Sequence, residues 1–234
     1  MILYIIRHGQ SLNNALGDSH NRVCDPPLTE IGEAQARCVA GYLRATSDKT
    51  DGQNGTGYGI TRLYCSPMLR ALQTTAPIAE ALGLTPEIWI DVHEEQGIWL
   101  DEDDGRGPVG LPGLGRSEMA GRFPGVVLPE AIPDSGWWDR PPETDDDVAA
   151  RVVRVAHALR GRCAEADPDE RLAIVSHGGF TNKLVQALVS GGVLAGIYFS
   201  NHNTAINRFD FMDEAFVRIR YLNRVEHLAS DLLT

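Results

Sequence analysis

Two histidines, two arginines and two adjacent carboxylates each stand just after an apolar run in this 234-residue chain. Arg7-His8-Gly9-Gln10-Ser11 follows Ile2 to Ile6, and Ser66-Pro67-Met68-Leu69-Arg70 follows Ile60 to Cys65. His93-Glu94-Glu95 follows the run Pro86 to Val92, and Ser176-His177-Gly178-Gly179 closes Leu172 to Ser176. A neutral imidazole near pH 7 is a nucleophile, a base or a metal ligand. Arginine forks match the oxygens of phosphate or carboxylate. Two histidines with a carboxylate also suit zinc, but a zinc site has no need of two arginines. A lone His at a strand end is most often structural. The pair His8-Gly9 and His177-Gly178, each after an apolar strand, points instead to one shared site for an anion.

Those segments need elements to hold them. Ile2 to Ile6 reads as a strand buried on both faces. Thr29 to Ala45 repeats apolar residues at helical spacing, with Thr29 as cap. Residues 46–59 are polar and Gly-rich and read as a surface loop. Ile60 to Cys65 and Pro86 to Val92 read as strands. Between them a helix runs to about Leu82, with Ser66 as cap and Pro67 in its first turn. Thr144 opens a helix with the capping-box spacing Thr144-x-x-Asp147. Leu172 to Ser176 is a strand, Phe180 to Leu188 a helix, and Thr204 to Phe211 and Phe216 to Leu222 are closing strands. This alternation predicts an α/β fold with a mostly parallel sheet, whose ligands bind beyond the carboxyl ends of the strands. With no internal repeat, residues 1–234 are read as one domain.

The stretch His93 to Pro142 differs from the rest. It holds three of the four Trp and the run Asp101-Glu102-Asp103-Asp104. It is too long for a simple connection and predicts an ordered, lid-like insertion at about 98–139, with one short helix near Arg116 to Arg122. Trp99, Phe123, Trp137 and Trp138 would either wall the pocket or pack the insertion onto the domain. With 21 basic and 32 acidic residues the net charge is −11, which argues against nucleic acid or an anionic membrane as partner. No run is long enough to span a bilayer, and Met1 to Ile6 lacks the marks of a signal peptide. Four scattered cysteines (Cys24, Cys38, Cys65, Cys163) read as reduced thiols in a cytoplasmic protein.

Taken together, the motifs resemble the histidine phosphatase superfamily, in its phosphoglycerate mutase-like branch 1. They are Arg7-His8-Gly9-Gln10-Ser11 with Asn14, Leu28-Thr29-Glu30-Ile31-Gly32 with Gln35-Ala36, Ser66-Pro67 with Arg70, Ala71 and Thr74, Ser176-His177-Gly178, and Asn203-Thr204. The resemblance implies a three-layer αβα sandwich. It implies that His8 forms a phosphohistidine while Arg7, Arg70 and His177 surround the phosphoryl oxygens, with His177 protonated in the complex. The Gly9 carbonyl is the partner expected to fix the His8 tautomer. Asn14, Thr29 and Gly178 complete the expected contacts to phosphate and substrate. Glu94 is the expected acid, followed shortly by Gly97. On an extended segment Glu95 would face the other way. His93 is expected as local support and Arg151 in a structural salt bridge. Gln10 stands where many members carry Glu, and Pro142-Glu143-Thr144 replaces Gly-Glu-Ser. No cofactor and no metal are implied.

The reaction expected is hydrolysis of a small phosphomonoester. The alternatives are a cofactor-dependent phosphoglycerate mutase and a non-catalytic binder of a phosphorylated ligand. Mutases commonly carry paired arginines after the acid, whereas Arg106, Arg116, Arg122 and Arg140 stand apart here. The expected partner is a small phosphorylated substrate, and a homo-oligomer is left open.

Overall fold

Strand β1 (Ile2–Arg7) lies inside the main sheet, parallel to β6 (Arg171–Ser176) on one side and antiparallel to β7 (Ile206–Phe211) on the other. The computed structural model describes residues 1–16, 21–45, 57–101, 105, 107–165, 167 and 169–234. With β2 (Arg62–Cys65), β3 (Pro86–Ile88) and β8 (Val217–Arg224), the sheet runs β3-β2-β6-β1-β7-β8. The first four of these strands are mutually parallel, and β8 is antiparallel to β7.

Side chains alternate along β1, and this divides the core into two layers. Tyr4 and Ile6 join a cluster with Val39 and Leu43 of α2 (Glu30–Ala45) and Leu72 and Ile78 of α3 (Leu69–Leu82). Leu3 and Ile5 join a second cluster with Val152 and Val155 of α5 (Asp145–Glu165) and Phe180 and Leu184 of α6 (Gly178–Ser190). The result is the expected three-layer αβα sandwich. The order of strands brings the carboxyl ends of β1, β2 and β6 side by side, because β6 pairs with both of its neighbours in parallel.

Several local expectations are corrected. A four-residue helix, α1 (Leu12–Ala15), follows the first motif, capped by reciprocal bonds between Ser11 and Asn14. Helix α3 begins at Leu69 rather than Pro67, and its cap residue Met68 makes no side-chain capping bond. Ser66 is therefore not the cap. Strand β3 ends at Ile88, and Ile90–Val92 is a 3-10 turn rather than more strand. Thr144 does cap α5 with Asp147, as the spacing predicts. Most of the expected loop at 46–59 lies outside the described residues. At its far end Tyr58 is fully buried, its ring edge-on to Tyr4 and tilted against Tyr42, so that end belongs to the core.

The insertion contains a small hairpin, β4 (Trp99–Leu100) with β5 (Val109–Gly110), and α4 (Arg116–Arg122). Trp137 and Trp138 are buried in the first core cluster, and Phe123 packs against it. The pocket-wall expectation therefore fails for these three, which pin the insertion to the domain. Residues 102–104 of the acidic run, and Arg106, lie outside the described residues.

The first turn of α2 meets the segment after β1 backbone to backbone at Gly9 and Gly32. A Cβ on Gly9 would come 2.5 Å from the Gly32 carbonyl oxygen, and one on Gly32 would come 2.0 Å from that of Gln10. Thr29 seals the contact: its N–H donates to the Gln10 carbonyl, and its hydroxyl donates to Gln10 Oε1 and accepts from Gly32 N–H. Gly41, further along α2, has open space around it. Gly32→Ala should lower stability by about 1–3 kcal/mol and disturb the site. Gly41→Ala should raise stability by about 0.5–1 kcal/mol. Denaturant unfolding of both variants checks this. Equal effects at the two positions would show that the close approach does not hold the segment.

Candidate active site

His8 leaves β1 with its backbone fixed on both sides. Its N–H donates to the Ser176 carbonyl, and its carbonyl accepts from Thr204 N–H and from Asn203 Nδ2. The ring is only 2% exposed. Nδ1 sits 2.6 Å from the Gly9 carbonyl oxygen, which only accepts, so the proton stays on Nδ1. Nε2 then carries the lone pair, which accepts from Arg70 Nε at 3.1 Å. Burial, with Arg70 and Arg7 nearby, holds this imidazole neutral, its pKa well below the ordinary value.

Arg70 is buried on the first turn of α3, where the Thr74 hydroxyl donates to its carbonyl and accepts from Gly9 N–H. Its Nη1 lies 3.6 Å from Asp25 Oδ1. Asp25 also accepts from Leu69 N–H at 3.1 and 3.2 Å, supplying the cap that Met68 cannot. Burial pushes the Asp25 carboxyl up to about 6. Arg7 donates through Nη1 to the Asn201 carbonyl, while its buried Nε has no partner among the described residues.

His177 is the cap residue of α6 and is fully buried, its ring 5.0 Å from that of His8. Its Nε2 is 2.8 Å from Ser66 Oγ, and its Nδ1 is buried without a hydrogen-bond partner among the described residues. Burial, Arg70 and His8 push its pKa well down. In the free site His177 is therefore neutral, and the charge expected of it in a complex has to come with an anion.

The carboxylates follow a turn rather than an extended strand. Gln96 and Gly97 adopt positive φ of 66° and 76°, and a Cβ on Gly97 would collide with the Trp138 ring at 2.3 Å. Glu94 and Glu95 consequently both line the cavity, correcting the expectation that only one would. Glu94 accepts from the backbone N–H groups of Phe180, Gly179 and Glu95, so it is seated on the N-terminus of α6. Its charge acts on both Arg7 and Arg70. Glu95 instead pairs with Lys183 at 3.4 Å, and burial together with the Glu94 charge raises its pKa.

Behind them a buried cluster fixes the turn. Arg151 binds Glu143 bidentately at 2.9 and 2.7 Å and donates to the carbonyls of Asp91, His93 and Glu94. His93 is fully buried against Trp137 and Trp138, with Nδ1 on the Glu94 carbonyl. Arg151 and His93 thus shape the backbone that presents Glu94. Breaking such a buried ion pair costs about 3–5 kcal/mol.

A cavity of about 560 Å³ opens over these groups. Arg7, His8, Asn14, Arg70 and Glu94 line it, joined by Ser11, Asn13, Asn21, Arg22, Trp99, Leu100 and Asp101. Asn14 accepts through Oδ1 from Ser11 and Asn203, which leaves its amide NH2 as the end for a ligand. His177 lies beneath His8 rather than on the cavity wall. Thr29 and Gly178 are not on the wall either: Thr29 caps α2, and Gly178 begins α6, where a Cβ would press within 3.3 Å of Arg7 Nε. Trp99 is the only one of the four insertion aromatics on the wall. Asp25, Ser66 and Arg22 were not picked out as site residues from the sequence. Asp25 and Ser66 act through contacts to Arg70 and His177, far along the chain, which no local pattern signals.

The sequence profile of the histidine phosphatase superfamily (branch 1) matches residues 3–104 and 111–224. The chain belongs to this superfamily. A relative named as a probable phosphoglycerate mutase, GpmB of Yersinia pestis (strain Pestoides F), is 27% identical over 224 residues, covering 92% of this chain and 87% of its own length. The histidine phosphatase fold is shared with a phosphoserine phosphatase of Entamoeba histolytica solved with 3-phosphoglyceric acid (TM-score 0.60, 20% identity, 97% of this chain and 99% of that one). It is shared equally with a mycobacterial glucosyl-3-phosphoglycerate phosphatase (TM-score 0.57, 22% identity, 96% and 99%).

The neutral histidines of this histidine phosphatase site couple stability to pH. His8, His93 and His177 have pKa values well below 6.5, and His227 is lowered to about 4. The unfolded chain therefore binds more protons than the fold below about pH 6.5, and each such histidine removes up to about 1.4 kcal/mol per pH unit there. Asp25 opposes this between its folded value of about 6 and its ordinary 3.8. Calorimetry should show Tm falling as pH drops from about 6.5 to 5, with inorganic phosphate reducing the fall. A flat Tm over that range would contradict the neutral assignment.

Proposed function

We propose that the protein hydrolyses phosphomonoesters of small molecules through a phosphohistidine at Nε2 of His8. The observation that carries this is the locked tautomer: Gly9 holds the Nδ1 proton, and the lone pair on Nε2 lies among Arg7 and Arg70. An incoming phosphoryl group takes over the Arg70 N–H that now caps the lone pair. The buried, unpaired Arg7 Nε is a donor that its oxygens would satisfy, and His177 Nδ1, also without a partner among the described residues, is a second donor once the ring is protonated. A dianion also reverses the field on His177 and favours its protonation.

The Nε2 lone pair bonds to phosphorus as the ester P–O bond breaks, and the leaving oxygen takes a proton from the Glu94 carboxyl. Glu94, now a carboxylate, takes a proton from water as the water oxygen bonds to phosphorus. The P–N bond breaks, and His8 returns to its neutral form. Position favours Glu94 for this role: its carboxyl stands close enough to act on both Arg7 and Arg70 of the phosphoryl cluster, whereas Glu95 is drawn to Lys183.

A mutase must hold a second anionic group while the phosphoryl group returns. Among the described residues, Arg22 is the only cation on the cavity wall besides Arg7 and Arg70. Arg116 binds the carbonyls of Ile132 and Pro129, Arg122 pairs with Glu118, and Arg140 stacks on Trp138. Hydrolysis is the better fit.

The wild type should release phosphate from a chromogenic aryl phosphate with a chelator present. His8→Ala should lose this activity by a factor on the order of a thousand or more while staying folded. Acid quench of the wild type with labelled substrate should trap a phosphoenzyme, and full turnover by His8→Ala would end the proposal. Glu94→Gln should slow alkyl phosphates by about 10²–10⁴-fold and good aryl leaving groups much less. If Glu95→Gln gives that pattern instead, the acid is Glu95. Interconversion of 2- and 3-phosphoglycerate faster than phosphate release would favour the mutase.

A further inference from the structure

Asp25 stands outside the phosphoryl cluster yet governs one of its members. It lies on the segment between α1 and α2, and its buried carboxylate reaches the start of α3. There it does two things at once. Both oxygens accept from Leu69 N–H, and Oδ1 lies 3.6 Å from Arg70 Nη1. That separation is a charge contact rather than a closed fork, so the guanidinium is oriented without its N–H groups being tied up. The opposite edge of the same guanidinium donates through Nε to the lone pair of His8.

We propose that Asp25 is a positioning residue for Arg70: its carboxylate holds the guanidinium against His8, ready for a phosphoryl oxygen, and protonation of Asp25 releases that hold. The proposal rests on the phosphatase reading of the site. The charged groups that face Asp25 are Arg70 from α3 and, from α4, Arg122 and Glu118, which pair with each other at 2.9 Å. Of the two cations, Arg122 is thus taken by Glu118, and Arg70 is the one left to Asp25. Burial outweighs Arg70 and the Leu69 N–H and brings the carboxyl to about 6, so it is charged at neutral pH and titrates just below it. In the free site burial and the nearby arginines hold both His8 and His177 well below their ordinary value.

Asp25→Asn keeps an oxygen for Leu69 N–H and removes only the charge. Because the folded carboxyl titrates above its ordinary 3.8, the fold tolerates the uncharged form better than the charged one. The variant should therefore keep its Tm within a few degrees. Above pH ~7 it should show kcat/KM on an aryl phosphate about tenfold lower than wild type, and weaker binding of inorganic phosphate by calorimetry. The ratio of wild type to variant should fall toward one as pH drops to about 5, with its midpoint near 6. The second ionisation of the substrate phosphate cancels in that ratio. Asp25→Glu, which keeps the charge, should recover part of the loss and restore the pH dependence of the ratio.

A ratio that is flat across pH, in an enzyme that turns over, overturns the positioning role and leaves the phosphatase reading intact. Failure of both variants to fold overturns it too, since Asp25 would then act on the fold alone. A wild type that neither binds phosphate nor releases it overturns the phosphatase reading and this inference together.

Discussion

The hydrogen bond from His8 Nδ1 to the carbonyl of the next residue sets the chemistry of the whole site. It spans one peptide unit, and it is short at 2.6 Å because the Gly9 backbone turns its oxygen back toward the ring. That turn exists because Gly9 lies against Gly32 with no side chain on either. Gln10 and Thr29 fasten the approach, and Gln35 ties it to the last residues of the chain through Leu232 and Thr234. A backbone contact between helix and strand end is therefore what decides which imidazole nitrogen carries the free lone pair.

The same site gathers cations that burial disfavours. Arg7 and Arg70 are both desolvated, and burial together with these two charges keeps His8 and His177 neutral. Glu94 and Asp25 are the nearby carboxylates that offset them. Among the described residues, buried Arg7 Nε and His177 Nδ1 are still left without partners. Buried orphan donors are costly, and such cost persists where a ligand removes it. An oxyanion fits that description, supplying charge and acceptors together.

The insertion contributes to the site more from behind than from above. Trp137 and Trp138 pack on His93, Glu143 just beyond the insertion pairs with Arg151, and Arg151 gathers the carbonyls of the turn that carries Glu94. Among its described residues, those that reach the cavity are Trp99, Leu100 and Asp101. Its aromatic content thus reports chiefly on anchoring. The polar wall opposite, with Asn13, Asn21 and Arg22, comes from the segment after the first motif.

The strand ends were legible in the sequence because apolar runs and their polar terminations are local. They placed Arg7, His8, Arg70, Glu94 and His177 at one edge of a parallel sheet, and the motif set named the superfamily. Thr29 was legible as a helix cap for the same reason. What tertiary structure decided are relations between distant segments. The Glu94–Glu95 turn depends on Trp138 packing over Gly97, more than forty positions along the chain. Ser66 looked like a cap by its spacing, yet its hydroxyl serves His177 across two strands. Asp25 carries no local signal, because its cap and its counter-charge are both supplied to a helix 44 positions away. Periodicity encodes which residues face inward, but partners chosen by packing are set only when the layers close.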